Sequence, residues 1–318
     1  MGASTFEQAE ASVAAEKLQC GRIIKSTGGL YRVETPEGAV YDCRARGAFR
    51  RERITPLAGD LVHFRISDSA EGFITEILPR KNALIRPTVA NVDTLILVIA
   101  AAQPEPDLFI LDKLTAIAAF NGIETVLVIN KCDLQNADEL ERLYTNAGLR
   151  VFCLSAREPD RFAETLENIR AAGRGKVSFF SGASGVGKSS LLNALYPDLA
   201  LATGEISRKI ARGKHTTRVT ELFKTAKDTY IGDTPGFSMV DVAGFNLLTS
   251  EGLLGSFPDI EKYAVGCRYT DCTHTCEDGC EVLAAIRRGE VEKSRHESFV
   301  RLYHELRAVD PWQKRRDS

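Results

Sequence analysis

Four short segments of this chain carry residue types whose spacing suits a nucleotide, and a fifth suits a metal. Gly182-Ala183-Ser184-Gly185-Val186-Gly187-Lys188-Ser189-Ser190 sets glycines where a backbone must approach phosphate oxygens closely. Successive N–H groups of such a loop, and the N-terminus of the helix that follows it, point at anionic oxygens. Lys188 supplies a cation at the β- and γ-phosphates, the Ser189 hydroxyl supplies a ligand for Mg²⁺, and Ser190 extends the phosphate-facing set. In Asn130-Lys131-Cys132-Asp133 the last carboxylate can accept two hydrogen bonds, from N1–H and the exocyclic amine of guanine. Adenine presents no such donor pair, so Asp133 selects guanine by leaving the wrong base unpaired. Lys131 packs along the base plane, and Ser155-Ala156 brings a backbone amide toward guanine O6.

Asp233-Thr234-Pro235-Gly236 completes the set: Asp233 holds Mg²⁺ through water, and the Gly236 amide senses the γ-phosphate. The order of these segments is unusual. In an ordinary GTPase the phosphate loop comes first and Asn-Lys-x-Asp comes near the end. Here the guanine reader precedes the phosphate loop, which indicates a circularly permuted GTPase domain.

The metal candidate reads Cys267-x₄-Cys272-x-His274-x₅-Cys280. Three thiolates and an imidazole make a closed tetrahedral site for one structural Zn²⁺. Cys276 lies inside the same stretch, so a four-cysteine site with Cys276 in place of His274 stays open. His63, His296 and His304 read as surface or core residues.

The elements that must position these residues follow from periodicity. Short β-rich runs separated by turns, Gly21–Lys25, Leu30–Glu34, Ala39–Cys43, Asp60–Arg65 and Gly72–Ile77, predict a small five-stranded barrel of the OB type. From Val92 the pattern becomes α/β. Strands are predicted at Thr94–Ala100, Thr125–Ile129, Val151–Leu154, Val177–Phe180 and Tyr230–Ile231. Helices are predicted at Asp107–Phe120, Ala137–Asn146 and Lys188–Leu195. This alternation implies parallel crossovers and a doubly wound sheet. Beyond Leu247 the metal cluster precedes helical patterns at Glu281–Arg288 and Glu290–Leu306. The expected division is an arm over 1–19, a barrel over 20–88, the permuted GTPase domain over 89–246, and a zinc-binding helical domain over 247–318.

Composition is that of a soluble globular protein. The chain has 318 residues, 44% hydrophobic and 26% charged, with a net charge of −2. No apolar run approaches the roughly 18 residues of a membrane span, and Met1–Lys17 lacks the pattern of a signal peptide. The protein is expected to be cytoplasmic, away from membranes, and monomeric. Eight cysteines, half of them clustered, fit a reduced compartment and one metal site better than a disulfide framework. Local charge hints at RNA: Arg44, Arg46, Arg50, Arg51 and Arg53 crowd one segment between the third and fourth strands. Arg287, Arg288, Lys293, Arg295, Arg301 and Arg307 dot the C-terminal region, and Lys314, Arg315 and Arg316 end it.

The motif order, together with Arg212-Gly213-Lys214-His215-Thr216-Thr217, resembles the bacterial ribosome small subunit-dependent GTPase family (RsgA). The resemblance covers nearly the whole chain. It implies a GTP hydrolase that acts late in maturation of the small ribosomal subunit, binds its rRNA, and turns over GTP to GDP and phosphate when stimulated by the subunit. Phe237 stands where Ras-like enzymes carry the glutamine that orients water. The resemblance implies that His215 takes that role. Thr217, with Thr216 as the alternative, is expected to join Ser189 and Asp233 at Mg²⁺. A passive RNA-binding assembly chaperone, stabilised by nucleotide, is the alternative that Phe237 keeps open.

Asp133→Asn puts a donor where guanine needs an acceptor, and xanthine carries an acceptor at that place. Competition binding should show GTP affinity falling by at least about 10²-fold, with xanthosine triphosphate gaining. Full retention of guanine preference would remove Asp133 from the base site.

Overall fold

The computed structural model describes residues 18–46, 49, 54–67, 71–84, 88–199, 220–233 and 248–313. Residues 1–17 of the expected arm, Arg50, Arg51, Arg53, the Arg86-Pro87 boundary, the 212–217 segment with His215, Thr216 and Thr217, Gly236, Phe237 and the Lys314–Arg316 cluster lie outside the described residues.

Alternating apolar residues build the first unit. The strands β1 (Leu18–Thr27), β2 (Leu30–Glu34), β3 (Val40–Ala45), β4 (Leu61–Ile66) and β5 (Gly72–Ile77) close into a barrel in the order β1-β2-β3-β5-β4. The β3–β5 pair is parallel and the other pairs are antiparallel. Period-two spacing sends Ile23, Val33, Val62, Phe64 and Ile74 inward, and all five are fully buried. The barrel is of the OB type. The arginine cluster does not begin in the following loop: Arg44 sits within β3, opposite Phe73 of β5.

A two-stranded link, β6 (Ala83–Leu84) with β7 (Val89–Ala90), leads into the second unit. There β8 (Thr94–Ala100), β9 (Glu124–Asn130), β10 (Arg150–Cys153), β11 (Val177–Ser181), β12 (Leu222–Ala226) and β13 (Thr229–Asp233) form one sheet, ordered β10-β9-β8-β11-β13-β12. Every residue of β8 is buried, as expected for a central strand covered on both faces. The crossovers carry α1 (Leu108–Phe120), α2 (Asp138–Asn146), α3 (Ala163–Gly173) and α4 (Lys188–Leu195). The Asp107 carboxylate caps α1 by accepting from the Ile110 amide at 3.0 Å.

The sheet is not wholly parallel. Strand β12 runs antiparallel to β13 across a two-residue Lys227-Asp228 turn, with Asp228 at φ +52°. Its half-buried side chains lack the continuous apolar run that marks the inner strands.

The C-terminal helices are α5 (Pro258–Ala264), α6 (Glu281–Arg287) and α7 (Lys293–Gln313), preceded by a 3₁₀ turn at Leu254–Ser256. The helix expected from Glu290 starts instead at Lys293. Gly289, at φ +74°, ends α6 in a left-handed cap. There the Gly289 amide bonds Ile286 O at 3.0 Å and the Glu290 amide bonds Ala285 O at 2.9 Å. Glu290 is thus spent on closing α6.

Nor do the C-terminal arginines form one solvated basic face. Arg288 is paired with Glu281 and Glu290, and Arg301 lies 3.6 Å from the Phe109 ring centroid. Arg295 is 2% exposed. It donates to Asp112 of α1 at 2.7 Å and forks onto both carboxylate oxygens of Asp259 in α5 at 3.0 and 3.1 Å. Tyr144 of α2 donates to the same Asp112 oxygen at 3.0 Å. Burial lifts the Asp112 carboxyl above its ordinary range against the pull of Arg295. Burial disfavours the Arg295 cation, but its two carboxylates outweigh that. One buried cation therefore ties the C-terminal helices to the sheet domain, with which they also share an apolar core.

Arg295→Met strands two buried carboxylates. Chemical denaturation should show a loss of about 3–5 kcal/mol. Adding Asp112→Asn and Asp259→Asn should recover most of it, because the cost lies in the unpaired charge. A fully stable Arg295→Met protein would show that packing alone holds the helices.

Candidate nucleotide site and metal centre

The C-terminal ends of β9, β10 and β11 and the loops that follow them, with the last residue of β13, carry the nucleotide candidates. A ligand crevice belongs at that end of an open α/β sheet. Residues 182–187 connect β11 to α4, whose first residues are Lys188, Ser189 and Ser190. A side chain at position 182 would place its Cβ 2.3 Å from Val98 O, so only glycine lets the loop lie against β8. Gly187 has φ +90°, and a Cβ there would meet Asn130 Nδ2 at 2.3 Å. Val186 is buried and pins the loop into the core beneath it. Ala183, Ser184 and Gly185 form the rest of the cradle.

Asn130, at the end of β9, is 2% exposed and holds two loops at once. Its Nδ2 donates to Val186 O at 2.9 Å, and its Oδ1 accepts from the Ala156 amide at 2.9 Å. The phosphate loop and the two guanine segments are thereby fixed to one another. The Ala156 amide, expected at guanine O6, is engaged within the protein. An arriving O6 must share or displace that bond.

Asp133 is exposed toward solvent, and the Ser155 hydroxyl donating to it holds its carboxyl below the ordinary range. An acceptor-only carboxylate is what the two guanine donors require. Lys131 has φ +64° and donates through Nζ to Gln103 O. The loop carrying Gln103 follows β8. Its Pro104 Cδ lies 3.8 Å from where a Cβ of Gly185 would stand. Gln103 and Pro104 thus adjoin both the guanine reader and the phosphate loop. Neither stands out in the sequence, although Gln103 is a non-glycine residue at φ +49°, a sign of backbone held by its surroundings.

Cys132 and Cys153, scattered in the sequence, come together here. Hydrogen bonding to the Cys153 thiol lowers the Cys132 pKa, against burial. Asp233 ends β13 with its backbone paired to Phe180 of β11, one strand from the phosphate loop. Lys188 and Ser189 open α4, which follows β11, the strand paired with β13.

The metal candidates converge. Ligand atoms of Cys267, Cys272, His274 and Cys280 all lie within 4.8 Å of one another. Cys267 Sγ is 3.4 Å from His274 Nδ1, Cys280 Sγ is 3.7 Å from it, and the two sulfurs are 3.8 Å apart. Tetrahedral zinc with ordinary bond lengths needs edges of about 3.6 Å for sulfur to nitrogen and about 3.8 Å for sulfur to sulfur. The cluster fits a structural zinc site. Burial lowers the His274 pKa, which favours the neutral, ligating imidazole. Cys276 is exposed and outside the cluster, with its sulfur near Thr275 Oγ1 at 3.7 Å.

Two residues around the cluster escape sequence reasoning. Glu277 accepts from the Thr273, Thr275 and Cys276 amides at 2.8, 3.0 and 3.1 Å, and from the Thr273 hydroxyl. Burial opposes its ionisation, but these donors hold its carboxyl at about 2. His296, buried in α7, lies 2.7 Å from His274 O. A carbonyl only accepts, so Nε2 of His296 carries the proton. It thereby fixes the backbone of a metal ligand, a supporting role common around metal sites.

On the barrel a cavity of about 490 Å³ opens beside the Gly28-Gly29 turn, with Tyr31, Phe49, Arg44 and Arg46 in its lining. Tyr31 and Phe49 belong to the buried barrel core, while Arg44 and Arg46 are exposed, where their guanidinium groups suit phosphates.

Comparison with known proteins agrees with this anatomy. Residues 77–243 match the model of the RsgA GTPase, and residues 20–74 match that of the RsgA N-terminal domain. The small ribosomal subunit biogenesis GTPase RsgA of Caldanaerobacter subterraneus is 40% identical over 95% of this chain and 99% of its own length. That of Alkaliphilus metalliredigens is 40% identical over 90% of this chain and 97% of its own. The crystal structure of YjeQ from Thermotoga maritima superposes with a TM-score of 0.73 at 33% identity, covering 91% of this chain and 99% of that one. YloQ, a circularly permuted GTPase, gives 0.73 at 30% identity, covering 93% and 97%. A barrel, a permuted nucleotide fold and a zinc-type cluster in one chain, at this identity over nearly full length, establish a GTP hydrolase that belongs to the RsgA GTPase family.

Proposed function

We propose that this chain hydrolyses GTP while bound to the small ribosomal subunit, late in that subunit's maturation, and that the subunit stimulates turnover. The observation that carries the nucleotide half is the Asn130 junction, which fixes guanine reader and phosphate loop as one site. The RNA half rests on the barrel cavity with its exposed Arg44 and Arg46, and on the relatives that are named for small-subunit biogenesis.

Asp133 reads guanine, with Lys131 along its plane. The amides of 182–187 and the N-terminus of α4 receive the phosphates, and Lys188 neutralises charge that develops there in the transition state. Ser189, Asp233 and Thr217 would hold Mg²⁺, which when bound would supply positive charge against the phosphates. Gly236 senses the γ-phosphate, and His215 orients the attacking water. Cys267, Cys272, His274 and Cys280 hold zinc in a domain spanning 247–318, behind the barrel of 20–88 and the GTPase domain of 89–246. Among the described residues no helix is long and apolar enough to cross a membrane. A cytoplasmic monomer suits a factor that visits ribosomal subunits.

Multiple-turnover GTP hydrolysis with and without purified small subunits tests the reading. Stimulated, repeated turnover is expected; stoichiometric binding without turnover would favour the passive chaperone. His215→Ala should leave GTP affinity within about twofold and cut stimulated kcat at least about tenfold, since water orientation acts on the transition state. Wild-type turnover in that variant would move His215 out of the reaction.

Cys280→Ser should lose its zinc and unfold the C-terminal region locally while GTP still binds. A small metal domain draws much of its stability from the ion. One equivalent of tightly held zinc in the Cys280→Ser protein, by elemental analysis, would overturn the ligand set.

A further inference from the structure

The barrel grips the hairpin of β12 and β13 through ionic contacts. At the edge of the sheet, Lys25 of β1 bridges to Glu221, which immediately precedes β12, through both backbone pairing and a 2.9 Å ion pair. Further along, Lys224 of β12 donates to Glu34 of β2 at 2.6 Å. That carboxylate belongs to a residue only 7% exposed. The Tyr230 ring of β13 lies beside the same ammonium, its centroid 5.8 Å from Lys224 Nζ. Arg22 of β1, half-buried, lies 5.3 Å from the Tyr230 ring centroid. Ile24 of β1 packs against the core that contains Leu222 and Tyr230.

The two ends of this junction lead to the two halves of the proposed activity. On the barrel side, Glu34 shares the five-residue strand β2 with Leu30 and Tyr31, which line the arginine-bearing cavity. Lys25 lies on β1 just before the Gly28-Gly29 turn of that cavity. On the sheet side, Tyr230 and Asp233 share β13, which pairs along β11 into the phosphate loop. Short paired strands are stiff, so a displacement at one end has little slack in which to be lost.

Resting on the proposed function, we infer that the Lys25–Glu221 and Glu34–Lys224–Tyr230 junction is the element through which RNA held on the barrel positions β13 and Asp233 for GTP hydrolysis. Lys25, Glu34, Glu221 and Lys224 are positioning residues: none lies in the nucleotide site. Both ends are biased through one hairpin, so the coupling is local and ionic. A double-mutant cycle can therefore measure it.

The experiment uses the full-length protein with Mg²⁺ and GTP, alone and with purified small subunits. Lys25→Glu sets two carboxylates against each other, and Lys25→Glu combined with Glu221→Lys restores opposite charges with the order reversed. In Lys25→Glu the unstimulated kcat and the GTP affinity should stay within about twofold. Subunit-stimulated kcat should fall by about 2- to 30-fold at saturating subunit, and the charge-swapped protein should regain most of it. Glu34→Gln, which keeps the shape of the side chain, gives a second reading in case Lys25→Glu undocks the barrel; it too should lose stimulation while keeping basal turnover. Subunit-stimulated turnover equal to wild type in both single variants, or a swap that restores nothing, overturns the coupling. A wild-type protein that small subunits do not stimulate overturns the functional reading, and the coupling with it.

Discussion

The candidate nucleotide site depends on one buried carboxamide. Asn130 donates to the phosphate loop and accepts from the loop after β10, so three strand ends share a single side chain. A buried amide needs its hydrogen bonds made, and leaving one orphaned costs roughly 1–3 kcal/mol. Asn130 and its neighbours therefore stabilise one another's positions before any nucleotide arrives. The glycine at 187 is part of the same constraint, since any side chain there would collide with the amide. Permutation leaves this junction untouched: the three segments meet in space whatever order the chain visits them.

Around that junction the C-terminal helices share one apolar core with the sheet domain, Phe257, Ile260 and Phe299 joining Leu111, Leu114 and Ile117, and charges fix how the units sit on it. Arg295 ties the C-terminal helices to α1, and Lys25 and Lys224 tie the barrel to the sheet edge. The Arg295 network is nearly dry, so breaking one partner is costly even where the intact pair adds little net stability. The barrel junction is half-exposed at Lys25 and Glu221, where salt screening lowers the value of a pair. Consequently the C-terminal helices form the stiffer attachment and the barrel the more adjustable one.

Much of this was legible in the residues. The phosphate-loop helix runs Lys188–Leu195 as its spacing predicts, and β2 and β5 keep their expected bounds, because local periodicity and glycine signals decide them. Strand β12 was not legible: an edge strand with half-buried side chains lacks an apolar signature. Arg295 reads as surface charge because its partner Asp112 is 183 residues away. Gln103 and the meeting of Cys132 with Cys153 escaped for the same reason. Their importance lies in neighbours that only the tertiary fold supplies. The left-handed backbones of Lys131 and His274 show where tertiary contacts override a residue's own preference.

Glu277 carries a consequence for the life of the metal site. Its carboxylate gathers three amides of the turn between Cys272 and Cys280, and with a pKa of about 2 it stays ionised through any cellular pH. The turn is thus shaped by protein bonds as well as by coordination bonds, and less chain entropy remains for the ion to remove on arrival. When the ion leaves and the surrounding region loosens, the short turn around Glu277 can keep its local shape through these bonds. The site's exchange with chelators should then be governed by the escape of the ion rather than by the search of a collapsed loop for its ligands.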